Sequence, residues 1–513
     1  ILAQGAAGGA PFLRLHGRKG GGAMKRPRLG YKDLSEKLDA AGQGHVLAHW
    51  DKLSAEEQQS LEQQLADLDG GLGLAGLRPM LLEAVKKHGE QRTGSIEGPP
   101  AAWVLRADGS DPVAEERWEG LGLSAIARGQ CAACVLAGGM GTRLGMSWPK
   151  GMLGSKEVNE PFLPSGKSLF QVYAERILTL QRRARAHAGA ADSPTIWFLV
   201  MTGEATHKAI TDFFARYQFF GLREEQVLFF QQGMMPCFAE DGTVLMESAG
   251  RIATSPDGNA GIYPALRRSG VVDKLRAAGV RWVQAFSVDN VLVRVADPVW
   301  YGYQEETGAD VCVKMVPKRD WQEAVGVVTL REGVPSVIEY SEIGSERAQE
   351  TTAEGALKYN AANICLQAYT LDFLTGPAQQ TTQWHLARKD IPTMDGKRPG
   401  IKLEGFIFDV FEAAKCFRLL QVDRAAEFSA IKNASDSGKP DTPQSALDSL
   451  SRLHRRWLRA AGAKLPADDA RGGGPVCEVS PLVSYRGEGL QARAAGVDCS
   501  KDSILIECER ACL

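Results

Sequence analysis

Residues 131–150 read CAACVLAGGMGTRLGMSWPK, an apolar run that passes directly into a glycine-rich loop. The run has the length and composition of a buried strand. The loop glycines let backbone N–H groups approach a ligand closely, because no Cβ stands in the way. Arg143 and Lys150 add two cations to the same loop. The stretch therefore predicts a strand followed by a phosphate-binding loop, whose glycines are Gly138, Gly139 and Gly141.

Two other phosphate-binding motifs fail on this sequence. The dinucleotide fingerprint GxGxxG would need a third glycine where Leu144 stands, and the acidic residues about 20 positions on lie in a proline-rich loop. The P-loop pattern would end on Gly166-Lys167-Ser168, but Pro161 occupies the place of its first glycine and no strand precedes it. The remaining pattern, an apolar strand, AGGxGTRL and a Pro-Lys, is typical of enzymes that form sugar nucleotides.

Five apolar runs after residue 130 have the length of strands, and segments with helical periodicity separate them. Residues 168–183, SLFQVYAERILTLQRR, place several apolar side chains near one face of a helix. This alternation predicts an α/β fold with a Rossmann-like, mostly parallel sheet covered by helices. A β-hairpin is expected at 326–343 around REGVP. The predicted strands are 131–137, 195–201, 227–231, 282–288 and 310–316.

Ligands of such sheets bind at the carboxyl ends of the strands. The loop LAGGMGTR (136–143) and the sequence SVDN (287–290) each follow a predicted strand, so we expect both to face one crevice. Asp289 would direct a carboxylate into that crevice. Gln232 follows another strand, where an amide can both donate to and accept from a nucleobase.

The chain divides into four predicted segments. Residues 1–30 form a basic, glycine-rich tail without acidic residues, expected to be disordered or a targeting peptide. Residues 31–128 have a helical pattern, with a capping box at Ser54 and Glu57. Residues 129–405 form the predicted catalytic domain, and residues 406–513 a smaller mixed C-terminal domain.

The composition excludes several classes of protein. The 513 residues carry a formal net charge of −2, so no overall field draws the chain to nucleic acid or to a membrane surface. Ten cysteines are too few for a disulfide scaffold, and the pair Cys131 and Cys134 lies inside a predicted strand rather than in a metal site. No apolar stretch reaches the length of a membrane span, about 18 residues. We expect a cytoplasmic enzyme, either a monomer or a homodimer.

The sequence also resembles a known family, the eukaryotic UDP-N-acetylhexosamine pyrophosphorylases. The resemblance extends over roughly 130–490 and preserves the order of ten motifs. It implies a fold of the sugar nucleotidyltransferase type. The motifs are LAGGMGTRLGMSWPKGM, FFQQGMMP, SPDGNAGIY, SVDNVLVRVADP, VGVV, VIEYSEI, NAANIC, IKLEGFIFD, EFSAIKNA and CEVSPLVSYRGEGL.

The resemblance implies a role for individual residues. The loop from Leu136 and Ala137 to Gly139 would hold uridine and phosphate, and Lys150 would bind the phosphates of UTP. Residues that would contact the nucleotide elsewhere are Gln232, Gly258, Asp289 and Lys402. Residues that would form the sugar pocket are Asn259, Gly326, Glu339, Tyr340 and Asn363, with Lys432 facing a phosphate.

The implied chemistry is uridylyl transfer. An oxygen of a hexosamine 1-phosphate would attack the α-phosphorus of UTP in line, and pyrophosphate would leave. The nucleophile is already an anion, so the protein must mainly hold two polyanions and neutralise developing charge. Mg²⁺ or Mn²⁺, held at Asp289, could do so together with Arg143, Lys150 and Lys432. No Ser/His/Asp or Cys/His constellation is needed.

Three alanines depart from the family pattern beside the expected sugar pocket. Ala260 and Ala362 replace glycines, and Ala324 replaces a proline. An added methyl group can narrow a pocket or prevent a positive φ. The expected substrate is N-acetylglucosamine 1-phosphate, with N-acetylgalactosamine 1-phosphate as a second one, and the alternatives are therefore glucose or galactose 1-phosphate. An inactive paralogue that only binds UDP-sugars is the alternative from another class of protein.

Overall fold

A computed structural model describes residues 30–71, 73–89, 94–158, 160–380, 383–468, 473–497 and 503–508. The predicted tail, residues 1–30, falls outside these ranges apart from Gly30. Within them, no helix combines the length and the apolar character that crossing a membrane requires. The α-helices are α1 (Tyr31–Ala40), α2 (Ala55–Gly71), α3 (Leu77–Gly89), α4 (Pro112–Ala127), α5 (Leu169–Ala188), α6 (Glu204–Arg216), α7 (Ile262–Arg268), α8 (Val271–Ala277), α9 (Pro298–Thr307), α10 (Ser345–Ala348), α11 (Leu371–Thr375), α12 (Arg424–Glu427), α13 (Pro443–Ala460) and α14 (Gln491–Ala494).

The five separately predicted strands match observed strands to within two residues at each end, whereas the predicted hairpin ends at Ile338, five residues before the expected limit of 343. The strands are β1 (Ile96–Glu97), β2 (Val104–Ala107), β3 (Cys131–Leu136), β4 (Trp197–Thr202), β5 (Val227–Gln231), β6 (Met234–Pro236), β7 (Met246–Ser248), β8 (Arg251–Ile252), β9 (Thr254–Pro256), β10 (Trp282–Ser287), β11 (Val311–Pro317), β12 (Val327–Arg331), β13 (Val334–Ile338), β14 (Ala361–Thr370), β15 (His385–Thr393), β16 (Gly396–Glu404), β17 (Phe417–Val422), β18 (Val476–Val479) and β19 (Ser503–Ile506).

The largest sheet in the described residues has eleven strands, and its main path runs β2-β17-β11-β14-β10-β3-β4-β5. Every neighbouring pair on that path is parallel except those that β14 makes, because β14 runs antiparallel to both β10 and β11. The predicted hairpin is β12–β13, which joins the sheet through the pairing of Val327 with Ala362. The prediction of an α/β fold with a mostly parallel sheet is confirmed.

Strand β3 lies between β10 and β4 in the main sheet, and all six of its residues are apolar and buried. Its side chains alternate between two apolar cores, one beneath α4, α5 and α9 and the other beneath α7 and α8. Cys131 faces the first core and Cys134 the second. The two thiols therefore lie on opposite faces of the sheet, where they cannot share a metal ion.

Helix α5 packs on the sheet behind the glycine-rich loop. Ser168 begins it, because the Ser168 hydroxyl accepts a hydrogen bond from the Gln171 N–H at 3.1 Å. Lys167, in the sequence that mimics a P-loop, is buried and forms ion pairs of 3.0 Å with Glu175 and Glu507. That lysine therefore ties the segment after β19 to the core instead of facing a phosphate.

The N-terminal helices pack away from the main sheet. The predicted capping box is present, since the Ser54 N–H donates to the Glu57 carboxylate at 2.8 Å and the Glu57 N–H donates to the Ser54 hydroxyl at 3.3 Å. Buried leucines of α1, α2 and α3 pack against β6, β8 and β16. By contrast, β2 and β17 belong to the main sheet, so this sheet draws on residues from either side of both predicted limits, 128–129 and 405–406. Those limits stay a prediction.

Candidate functional site

The carboxyl ends of β3 and β10 lie side by side. Leu136 pairs with Ser287 in the parallel register, and the Val288 N–H donates to the Leu136 carbonyl at 3.3 Å. The glycine-rich loop and Asp289 consequently leave the sheet at the same edge, as the strand order demands. The Ala137 N–H continues the sheet for one more residue, because it donates to the Met201 carbonyl of β4 at 2.8 Å.

The loop after β3 folds back on itself and returns Lys150 to the sheet edge. Main-chain hydrogen bonds of Gly141 stabilise this folded-back loop. Its N–H donates to the Trp148 carbonyl at 3.1 Å, and its carbonyl accepts from the Met146 N–H at 3.1 Å. A Cβ on Gly141 would stand 2.9 Å from the Met146 Cβ, whereas one on Gly139 would meet open space. The backbone at Gly139 is therefore accessible to a ligand.

Lys150 meets Asp289 and the chain near residue 431. Its ammonium donates to the Ile431 carbonyl at 3.1 Å and lies 3.6 Å from the Asp289 carboxylate. The side chains of Lys150 and Asp289 are each 17% exposed, so their charges lie in a partly desolvated crevice that still admits a ligand. Lys432 is the next residue after Ile431, and its side chain is more exposed than that of Lys150, with its ammonium 3.6 Å from the Asp441 carboxylate.

Asn290 explains how a C-terminal segment reaches this edge. Its buried amide donates to the Glu427 carbonyl at 2.8 Å and accepts from the Ser429 N–H at 3.0 Å. The Ile431 N–H then donates to the Asp289 carbonyl at 2.9 Å. Residues 429–431 thereby dock beside 289–291 and carry Lys432 to the crevice. Sequence reasoning missed Asn290, although SVDN contains it.

Gln232 lies over the glycine-rich loop. Its backbone N–H donates to the Thr202 carbonyl at 2.9 Å and extends β5 beside β4. A Cβ on Gly138 would stand only 2.4 Å from the Gln232 side-chain oxygen, so a side chain there would displace the amide from its place over the loop. The structure thus brings together two residues that were predicted to bind the nucleotide.

Gly258 and Asn259 contact the segment that follows β16. Gly258 has a φ of +88°, and a Cβ there would stand 2.3 Å from the Gly405 carbonyl. The Asn259 side-chain oxygen accepts from the Ile407 N–H at 2.7 Å, and its amide N–H groups, which have no partner in the described part of the chain, are available to a ligand. Ala260, one of the three departures, lies in a 3₁₀ turn, so no positive φ is required of it.

Gly326, Glu339 and Asn363 form a second group around the start of β14. The Asn363 N–H donates to the Gly326 carbonyl at 2.8 Å, and a Cβ on Gly326 would stand 2.9 Å from the Glu339 carboxylate. Burial raises the pKa of Glu339 and Glu342 raises it further, whereas His385 and Lys432 oppose the shift. Ala362 is buried within β14, and Ala324 is exposed.

A bulge in β14 links the first group of site residues, Lys150, Asp289 and Lys432, to the second group around Glu339. The register between β11 and β14 shifts after Lys314, and Cys365 takes a φ of +57° at that shift. Burial raises the pKa of the Cys365 thiol to about 12; the charges of Asp289 and Glu339 act in the same direction, and that of Lys432 acts against it. The thiol therefore lies within electrostatic reach of carboxylates from both groups and of Lys432. No sequence signal singled it out.

Three predicted residues are not joined to these groups by the contacts of the described chain. Arg143 is exposed on a 3₁₀ turn and makes no hydrogen bond or ion pair within the described ranges. Tyr340 is 55% exposed. Lys402 lies on β16, where its charge acts on the Cys237 thiol.

A divalent cation fits the donor set at Asp289 only if the substrate completes it. Among the described residues, no three His, Cys, Asp or Glu side chains gather into a metal site made of protein alone. Mg²⁺ commonly takes one or two carboxylates together with phosphate oxygens and water. Asp289, at the sheet edge beside Lys150, is suited to that arrangement.

Comparison with known proteins agrees with this geometry. A family model described as UTP–glucose-1-phosphate uridylyltransferase matches residues 123–471. UDP-N-acetylglucosamine diphosphorylase 1 of Arabidopsis thaliana is 40% identical over 471 residues, which cover 90% of this chain and 91% of that protein. UDP-N-acetylhexosamine pyrophosphorylase-like protein 1 of Homo sapiens is 38% identical over 501 residues, covering 93% and 97%.

A solved structure extends the similarity to three dimensions. The crystal structure of the uridine diphosphate N-acetylglucosamine pyrophosphorylase from Trypanosoma brucei, in complex with an inhibitor, superposes with a TM-score of 0.82 at 34% identity. It covers 92% of this chain and 97% of that one. The resemblance to the UDP-N-acetylhexosamine pyrophosphorylases is confirmed, because such relatives match nearly the whole chain. Since the family model matches two thirds of its length, this chain belongs to the UTP–glucose-1-phosphate uridylyltransferase family.

Proposed function

We propose that the protein is a UDP-N-acetylglucosamine pyrophosphorylase, which joins UTP and N-acetylglucosamine 1-phosphate to give UDP-N-acetylglucosamine and pyrophosphate. Relatives named UDP-N-acetylglucosamine diphosphorylase, at 40% identity, and UDP-N-acetylglucosamine pyrophosphorylase, at 36% identity, support the substrates. The observation that carries the chemistry is the meeting of Lys150, Asp289 and the segment before Lys432 beside the glycine-rich loop.

The residues of this chain bind and orient two polyanions. Backbone N–H groups around Gly139 and the ammonium of Lys150 would hold the phosphates of UTP, while Gln232 would contact the uracil. Lys432 would face the phosphate of the sugar. The attacking phosphate oxygen is already charged, so holding it in line with the α-phosphorus is the main task. Arg143, exposed at the mouth of the loop, and Lys402 are proposed as further phosphate contacts.

Asp289 would hold Mg²⁺ or Mn²⁺ together with phosphate oxygens. When bound, such an ion neutralises negative charge on the phosphates as the bond to pyrophosphate breaks. The ammonium of Lys150, 3.6 Å from the same carboxylate, contributes a second positive charge at that place. A partly desolvated crevice strengthens both interactions compared with those in bulk water.

The sugar would lie between the Asn259 loop and the group around Glu339. The free amide of Asn259 can donate to sugar oxygens, and the Glu339 carboxylate can accept from hydroxyl groups. Phe406 and Phe408 flank Ile407, the residue whose N–H binds Asn259, and their ring centroids lie 5.1 Å apart. Such rings offer an apolar surface for the methyl group of an N-acetyl substituent.

A panel of sugars tests the proposal. The purified protein is incubated with UTP, Mg²⁺ and, separately, the 1-phosphates of N-acetylglucosamine, N-acetylgalactosamine, glucose and galactose, and pyrophosphate release is measured. Preference for N-acetylglucosamine supports the assignment. Preference for glucose or galactose would keep the chemistry but contradict the sugar, and binding of UDP-N-acetylglucosamine in calorimetry without any turnover would identify an inactive paralogue. A cytoplasmic location and a monomer or homodimer also remain proposals.

A further inference from the structure

Asp257 is a buried carboxylate that has no part in the chemistry proposed above. It precedes Gly258 and Asn259, and the residue is 7% exposed. One of its carboxylate oxygens, Oδ1, has no hydrogen-bond partner among the described residues. Leaving such an oxygen buried and unpaired is costly, so its position calls for an explanation.

The carboxylate of Asp257 lies between two glycines from different loops. A Cβ built on Gly233, directly after Gln232, would stand 2.4 Å from Asp257 Oδ2. A Cβ built on Gly261 would stand 2.1 Å from Oδ1. The acid therefore fills the gap between the loop that carries Gln232 and the loop that carries Asn259, and glycine at both positions makes room for it.

The backbone of Asp257 joins the same segments. Its N–H donates to the Gly233 carbonyl at 3.1 Å, and its carbonyl accepts from the Gly405 N–H at 2.9 Å. Gly405 in turn leads into the residues that bind Asn259. Three segments with proposed substrate contacts, around Gln232, Asn259 and Gly405, thus meet at one residue.

We propose that Asp257 is a positioning residue, which sets the distance between the uridine-binding loop and the sugar-binding loop. The assignment of substrates to the two loops rests on the proposed function. Burial raises the pKa of Asp257 to about 7, whereas Arg268 at the end of α7 and the Gly233 backbone oppose the shift. Asparagine reproduces the shape of the side chain and the charge of its protonated form.

The experiment measures kcat and the KM of each substrate for Asp257→Asn and Asp257→Ala. Because misplacing bound groups by about 1 Å can cost up to about 100-fold, we expect Asp257→Ala to raise both KM values at least about tenfold. Asp257→Asn should stay within about threefold of the wild type, since it keeps the side-chain volume. Wild-type KM values in Asp257→Ala, or equal damage from both variants, would overturn the proposal.

Gly261→Ala provides a second test through compensation. Gly261 has a φ of −53°, which alanine adopts freely, and the nearest atoms to its added Cβ all belong to Asp257. Gly261→Ala should therefore raise both KM values in the wild-type background but have little effect beside Asp257→Ala. Gly120→Ala in α4, where a Cβ meets nothing within 4 Å, is the matched control. Additive effects in the double variant would overturn the proposal.

Calorimetric titration with UTP separates this proposal from the function on which it rests. If the wild type binds UTP but converts none of the sugar phosphates, the proposed function fails. An affinity for UTP that is at least about tenfold weaker in Asp257→Ala than in the wild type would still support the positioning role. Equal affinities of the two proteins would overturn that role. A wild-type protein that does not bind UTP would overturn both.

Discussion

Lys314 holds a buried cluster of charges next to the site, and replacing it should destabilise the protein strongly. Its ammonium lies 2.5 Å from Asp297 and 2.5 Å from Glu427, and all three side chains are 1% exposed. Arg294 lies 3.2 Å from the other oxygen of Glu427. In Lys314→Met, Asp297 would lose its ion-pair partner and Glu427 would keep Arg294 alone. Breaking a buried pair in this way typically costs about 3–5 kcal/mol of the free energy of unfolding.

Equilibrium unfolding in urea, followed by tryptophan fluorescence, measures this loss as a shift of the midpoint. Trp300 is a suitable reporter, because its ring centroid lies 5.0 Å from the Lys314 ammonium. The control is Lys208→Met, which breaks an ion pair of 2.6 Å whose side chains are 88% and 49% exposed. That exposed pair should contribute only about 0.3–0.5 kcal/mol.

The double variant Lys314→Met/Glu427→Gln separates lost charge balance from lost packing. It leaves Asp297 opposite Arg294, so we expect it to recover at least half of the stability that Lys314→Met loses. A loss below about 1 kcal/mol in Lys314→Met, or no recovery in the double variant, would refute the reasoning from buried charge. The KM for the sugar phosphate should rise in the single variant, because the Glu427 carbonyl holds Asn290.

Asp289→Ala should lose about 100-fold in kcat at saturating Mg²⁺, as measured by pyrophosphate release. The exposed control, Asp273→Ala, should keep its activity. Near-normal turnover in Asp289→Ala would show that Asp289 is not part of the site. Lys150→Ala should raise the KM for UTP at least about tenfold. It should lower the free energy of unfolding by only about 1 kcal/mol, because Lys150 makes one hydrogen bond to a carbonyl and one ion pair of 3.6 Å. A large fall in Tm with unchanged kinetics would favour a structural role. Burial lowers the pKa of His454 from 6.5 to about 3, and the Val479 N–H donates to its Nδ1. The unfolded chain therefore binds the extra proton below about pH 6.5, so this group should lower the free energy of unfolding by about 2 kcal/mol at about pH 5, and unfolding of His454→Gln should lack that component.

The pattern of apolar residues in the sequence was sufficient to predict the strands that are buried on both faces. Strand β3 and its parallel neighbours are short apolar runs, which is what burial between two helical layers selects. It was insufficient for β14, where Asn363 and Gln367 interrupt the apolar pattern because polar side chains occur where the strand reaches the site. The short edge strand β2 lacks any such pattern, and only its pairing with β17 identifies it.

The candidate site likewise contains one part that could be predicted from the sequence and another that could not. The approach of the glycine-rich loop to Asp289 follows from the rule that parallel strands share a carboxyl edge. The approach of Lys432 does not, because it depends on hydrogen bonds that Asn290 makes to a segment more than a hundred residues further along the chain. The gap filled by Asp257 is also invisible in the sequence, since PDGNAG alone indicates only a turn.

The pairing of β2 with β17 has a consequence for synthesis on the ribosome. Strand β2 is complete at residue 107, but its partner in the described sheet begins only at residue 417. At about 5–20 residues per second, the nascent strand must wait roughly 15 to 60 seconds for that partner to emerge. During this interval a half-exposed Leu105 and an unpaired strand edge are available to chaperones or to neighbouring nascent chains. A transcript truncated before the codon for residue 417 would make that interval permanent, so its product should aggregate rather than persist as a soluble fragment.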